Sequence, residues 1–143
     1  MKDNDLFYLC SLIEYISRLK FRRRKDVVNK LGEERLRRIY IDAPVLHCEL
    51  IDYVANEYAR IAKIRKGRLD IAGNCRYLVP DYWDIGDVYC RLITDVNNGD
   101  LIKTLIEVYN SKMSDELLNF NTALYYQSRQ YIALSYKAGQ WLD

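Results

Sequence analysis

Apolar residues recur at intervals of three and four over almost the whole chain, a pattern that commits a sequence to packed helices. Leu6, Leu9, Cys10, Ile13 and Ile16 mark one buried face, and Asn4 or Asp5 stands where it can accept the free N–H groups of a first turn. This predicts a helix over about residues 5–20. Lys25 to Leu31 reads as a short second helix ended by Gly32. Glu33 and Glu34 then open a third, whose apolar side is Leu36, Ile39 and Tyr40 and which Pro44 stops or redirects. From Leu46 to Arg65 a long stripe runs through Leu50, Ile51, Val54, Ala55, Tyr58, Ile61 and Ala62. Residues 67–83 hold two glycines, a proline and no helical period, so they form the one long irregular connection, with room for a short strand pair around Ile71 and Tyr77 to Val79. Beyond Pro80 the period returns. Asp81 or Asp84 caps a helix carrying Ile85, Val88, Tyr89, Leu92, Ile93 and Val96, Asp100 caps Leu101 to Ser111, Ser114 starts a helix through Tyr125, and Arg129 to Ala138 ends at Gly139. The fold expected is all-α, one domain over residues 1–143 of seven or eight short to medium helices, with a basic half (1–66) and a slightly acidic, tyrosine-rich half (84–143).

Size and composition agree with that. A chain of 143 residues that is 50% apolar can bury roughly two-thirds of its unfolded surface and needs neither disulfides nor a metal to hold it. The start, Met1 to Asp5, is too acidic for a secretory leader, and the apolar run from Leu6 breaks at Ser11 and Glu14. A cytoplasmic protein without a membrane segment is expected, its Cys10, Cys48, Cys75 and Cys90 reduced and mostly buried.

The net charge of +2 hides an uneven distribution. Between residues 18 and 38, ten basic side chains, among them Arg18, Lys20, Arg22, Arg23, Arg24, Lys25, Arg35, Arg37 and Arg38, face only Asp26, Glu33 and Glu34, a local charge of +7. A polyanion or an acidic protein would meet this stretch first. The second and third helices, joined at Gly32, also have the size of a helix-turn-helix over residues 25–41. Val27, Leu31 and Ile41 fall at its apolar positions, although Glu33 and Arg38 stand where the motif normally buries its side chains.

Catalytic patterns are scarce. His47 and Cys48 are neighbours and so diverge on a helix rather than converge, and the cysteines contain no close pair of the kind zinc sites use. Both His47 and the cysteines therefore read as buried structural residues. Asp81, Asp84 and Asp87 follow Pro80 closely enough to cap a helix, and a Mg²⁺-dependent centre on these three carboxylates is the alternative. Tyrosine is abundant, 13 residues beside 3 Phe and 2 Trp, and Tyr125, Tyr126, Tyr131 and Tyr136 are dense enough to form a contact surface near the C-terminus.

Residues 6–58, with Leu6-Phe7, Leu12-Ile13-Glu14-Tyr15, Asp26-Val27-Val28, Leu31-Gly32, Tyr40, Val45-Leu46-His47 and Val54, resemble small helical proteins of Gram-positive and gut bacteria, some of them encoded on mobile elements or beside toxin genes. The resemblance implies a bacterial accessory protein that acts by binding and brings no catalytic residues with it. The expectation is thus a non-enzymatic, antitoxin- or inhibitor-like factor without a cofactor. It engages another protein, of acidic character, through its basic and tyrosine-rich faces, with homodimerisation also open. Nucleic-acid binding through residues 25–41 is the first alternative and a metal-dependent enzyme at Asp81, Asp84 and Asp87 the second.

Overall fold

The computed structural model describes residues 3–70, 73, 79–117 and 124–142, with the side chain of Tyr126 excepted. Within them the chain forms α1 (Asn4–Leu19), α2 (Arg24–Leu46), α3 (Ile51–Ile61), α4 (Tyr82–Val96), α5 (Leu101–Tyr109), α6 (Lys112–Glu116), a 3₁₀ turn (Leu124–Tyr126) and α7 (Arg129–Ala138). The all-α architecture is as the periodicity indicates. No helix among the described residues is long and apolar enough to cross a membrane. The strand pair suggested around Ile71 and Tyr77 lies outside the described residues, apart from Val79.

Helix α1 is the hub. The 3.6-residue pattern predicts one buried face, yet Leu6, Tyr8 to Glu14, Ile16 and Ser17 are all buried, because α2, α3 and α4 surround this helix. Among its buried polar residues, Ser17 is satisfied within the helix by donating to the carbonyl of Ile13 at 2.8 Å. Its cap is Asp3 rather than Asn4 or Asp5. One carboxylate oxygen accepts the N–H groups of Asp5 and Leu6, while the other takes the hydroxyl of Tyr40 at 2.6 Å, tying the start of α1 to α2.

Helices α1 and α4 cross in close backbone contact. A Cβ on Gly86 would lie 2.8 Å from the Cα of Ser11 and 2.9 Å from its backbone N, so only glycine allows the two backbones to approach this far. Because α1 and α4 come from the basic and acidic halves, this packing joins the two charge regions through a shared core.

Gly32 interrupts α2 with φ 79° and ψ 162°, leaving an arm before and an arm after it, as the glycine signal indicates. Pro44 neither stops nor redirects the second arm. It sits in the last turn, where its missing N–H costs one bond, and the helix continues to Leu46. The long helix read from Leu46 to Arg65 is therefore two pieces, the end of α2 and α3, separated by residues 47–50. Near the other end Ser111, not Ser114, caps α6, since its hydroxyl accepts the N–H of Ser114 at 3.4 Å.

Candidate functional site

Among the basic residues singled out in the sequence, Arg24 has a role no surface site would give it. It is 1% exposed, and its guanidinium is paired with the carboxylate of Glu14, which is also 1% exposed. Nη2 reaches Glu14 Oε2 at 3.2 Å, and Nη1 donates to the Tyr89 hydroxyl at 3.4 Å. The guanidinium carbon stands 5.3 Å above the Tyr89 ring, which stacks on Tyr109 with centroids 4.3 Å apart, and the Tyr89 hydroxyl meets Ser114 Oγ at 2.7 Å. Arg18 joins from the rim, its Nε 2.8 Å from Glu14 Oε2. Burial by itself would raise the Glu14 carboxyl, but the charges and hydrogen bonds of Arg24 and Arg18 outweigh it and hold the group below its ordinary value. Arg24 is a core residue that neutralises Glu14, and its assignment to a partner-binding face is corrected accordingly.

Most of the other cations of residues 18–38 also have partners within the chain. Arg37 binds Asp100 at 2.6 Å and Glu33 at 3.2 Å, and the Arg37–Asp100 pair links the basic half to the acidic one. Arg23 and Lys25 both approach Asp115, at 3.8 and 3.5 Å. Arg35 donates to the carbonyl of Leu31 at 3.1 Å, and Arg38 pairs with Asp42 at 3.2 Å. Arg23, Lys25 and Arg37 thus join the basic half to the acidic one, whereas Arg18, Arg24 and Arg38 pair within the basic half. Along the helix-turn-helix candidate, Glu33 and Glu34 are exposed beside Arg35 and Arg38, giving a surface of mixed sign, and Ile41 points to solvent rather than to the core.

The aspartates after Pro80 cap. Asp81 accepts the N–H of Asp84 at 2.7 Å, Asp84 accepts that of Asp81 at 3.4 Å, and Asp87 pairs with Arg91 at 3.1 Å. Their oxygens are directed at backbone and arginine rather than at one another, and among the described residues no group of three or more His, Cys, Asp or Glu side chains converges as metal ligands would. His47 and Cys48 are exposed, contrary to expectation, with Cys48 Sγ 4.0 Å from His47 Nδ1. Cys10 and Cys90 are buried as expected, and burial pushes the Cys10 thiol well above its ordinary value, which makes it a poor nucleophile. Cys75 lies outside the described residues.

The tyrosine surface is largely turned inward. Tyr125 is buried, Tyr131 and Tyr136 are half-buried, and Tyr131 stacks on Trp141 and donates to the carbonyl of Leu142, so the C-terminal tail already covers part of this face. Of Tyr126 only the backbone is described.

A different surface stands out. At the corner joining α2 to α3, Ile41 and Val45 are each 69% exposed, Leu50 76% and Tyr53 58%. Beside Ile41 a cleft of about 730 Å³ opens at the Gly32 break, walled by Leu31, Glu33, Glu34, Arg35, Arg37 and Arg38. Helical spacing alone assigns Ile41 and Leu50 to the core. The missed signal is the three- and four-residue spacing of Arg38, Ile41 and Val45, a second stripe on the side of α2 opposite Leu36, Ile39 and Ala43. No family model, curated protein or solved structure matches the chain, so the functional reading rests on this geometry.

Proposed function

We propose that the protein is a non-enzymatic binding factor, of the antitoxin- or inhibitor-like kind, whose protein partner docks on the α2–α3 corner. The observation that carries this is the exposure of Ile41, Val45, Leu50 and Tyr53 within thirteen residues. Four large apolar side chains open to solvent on one corner amount to several hundred Å² of apolar surface, the upper end of what a monomer shows in one patch and a common mark of a contact site. The adjoining cleft offers Arg35 and Arg38 on its rim, which suits a partner that brings carboxylates beside an apolar anchor.

Replacing Val45 and Leu50 together by Glu leaves the circular dichroism spectrum unchanged, since neither side chain is in the core, and lowers capture of the native partner from an extract of the source cells at least tenfold. Sedimentation velocity of the purified chain serves as the companion measurement. A dimer that Val45→Glu and Leu50→Glu convert to monomer identifies the partner as a second copy. Undiminished capture by the double variant would mean that the partner docks elsewhere.

A further inference from the structure

Several cations without a carboxylate partner come from two separate stretches of the sequence, the end of α1 with its following turn and the segment after α3. Chain folding lays residues 65–69 along the turn that follows α1: Gly67 N–H donates to the carbonyl of Lys20 at 2.7 Å, Leu69 N–H to that of Phe21 at 3.1 Å, and Arg22 Nε to that of Arg65 at 2.8 Å. Gly67 is required for this approach, because a Cβ there would lie 2.5 Å from the Phe21 carbonyl oxygen. Two left-handed residues shape the site, Phe21 at φ 52° and Lys63 at φ 57°. Each closes a helix, with Arg22 N–H returning to Ser17 O at 3.0 Å and Ile64 N–H to Ala59 O at 2.9 Å. Lys20, Arg22, Lys63, Arg65, Lys66 and Arg68 thereby stand on two adjoining segments, the Lys66 ammonium 4.8 Å above the Phe21 ring.

Among the described residues none of these six has a carboxylate within ion-pair distance. Asp70, the nearest acid along the chain, turns to the N–H of Gly73. The carbonyl ends of α1 and α3 supply roughly half a negative charge each. Two half charges do not offset six full ones, so helix-dipole compensation does not account for the cluster.

We propose that the 20–22 turn and residues 63–68 form a binding site for the phosphate backbone of a nucleic acid, distinct from the α2–α3 corner. A dense and regular row of anions is what six cations without carboxylates accommodate best, and the guanidiniums of Arg65 and Arg68 suit phosphates in bidentate fashion. An anionic membrane fits less well, because the apolar residues of these segments are withdrawn: Ile64 is buried, and Phe21 and Leu69 are half-buried. An acidic peptide would need an unbroken run of carboxylates to match the charge density.

The test uses the full chain with a labelled 20-nucleotide single strand and a 20-base-pair duplex as probes, and with phosphatidylserine vesicles and polyglutamate as competitors. The expected result is binding at about 50 mM salt that weakens roughly 100-fold by about 200 mM, the signature of about four released counterions. Arg65→Glu with Arg68→Glu weakens it at least about 50-fold, Arg65→Gln with Arg68→Gln about 10-fold, and Arg35→Glu with Arg38→Glu less than twofold, all with unchanged circular dichroism. The proposal is overturned by the absence of binding to both oligonucleotides at the lower salt, by equal binding of the Arg65 and Arg68 variants, or by tighter retention on the vesicles or polyglutamate than on either oligonucleotide.

Discussion

Replacing Glu14 by Gln should destabilise the fold by about 3–5 kcal/mol, because it leaves the Arg24 guanidinium buried without its counter-charge. Arg24→Met should cost a similar amount for the converse reason, since Glu14 keeps only Arg18 at the rim. The double variant Glu14→Gln with Arg24→Met should recover part of the loss, because neither remaining side chain leaves a charge buried without its partner. Urea denaturation of the four proteins closes this cycle. Additive losses in the double variant would mean that the two groups do not interact in the folded state.

The same pair sets an acid limit. The folded carboxyl of Glu14 lies below its ordinary value of 4.5, so at neutral pH it is ionised in both states and its stabilisation is complete. As pH falls through the ordinary value the unfolded chain takes up the proton first, and the stabilisation shrinks until the folded group is protonated too. The difference in unfolding free energy between wild type and Glu14→Gln should therefore be constant above about pH 6 and narrow steadily below about pH 4.5. A difference that stays flat to pH 3 would place Glu14 in water.

Gly86→Ala should lower stability by about 2 kcal/mol net, although alanine is the better helix former by about 1 kcal/mol. The added Cβ meets the backbone of Ser11, which cannot rotate away as a side-chain tip would, so α1 and α4 must move apart along their shared core. Gly86→Val should prevent folding. Ser11→Gly in the Gly86→Ala background should restore part of the loss by removing the hydroxyl that crowds the same space, while the clash with the backbone of residue 11 persists. Thermal unfolding decides the matter, since a rise in Tm for Gly86→Ala, as in an exposed helix, would mean that the helices do not cross here.

The parts of this fold that were legible from sequence are those decided within one or two turns. Gly32 and Gly139 take positive φ where the helices break, Asp100 and Asp81 cap, and the bounds of α7 follow from its own residues. Where distant residues decide, local reading goes astray. Three consecutive arginines, Arg22 to Arg24, look alike in sequence, and what sends the third inward is Glu14 on α1. A signal was nonetheless present, for an acid in the middle of the apolar run from Leu6 to Ile16 asks for a buried cation. The basic site has the opposite history. Lys63 and Arg65 lie in or at the end of the Leu46 to Arg65 stripe in sequence, and only the hydrogen bonds from Gly67 and Leu69 to the 20–22 turn reveal that they adjoin a second basic segment. The apolar corner escaped because Ile41 and Leu50 keep helical spacing with residues that are buried, and spacing does not say which of two stripes faces the core.

Folding divides the arginines into an internal set that holds the helices together and an external set that, in our proposal, meets a polyanion. The arginine Nε–H resonances of the ¹⁵N-labelled protein, followed during titration with the 20-nucleotide strand, test that division in one experiment. The predicted result is that Arg22, Arg65 and Arg68 shift with the added strand, whereas Arg24 stays in place with its Nε–H protected from exchange until the chain unfolds globally. An Arg24 resonance that exchanges as fast as that of exposed Arg23, or that moves with the strand while Arg65 and Arg68 do not, would contradict it.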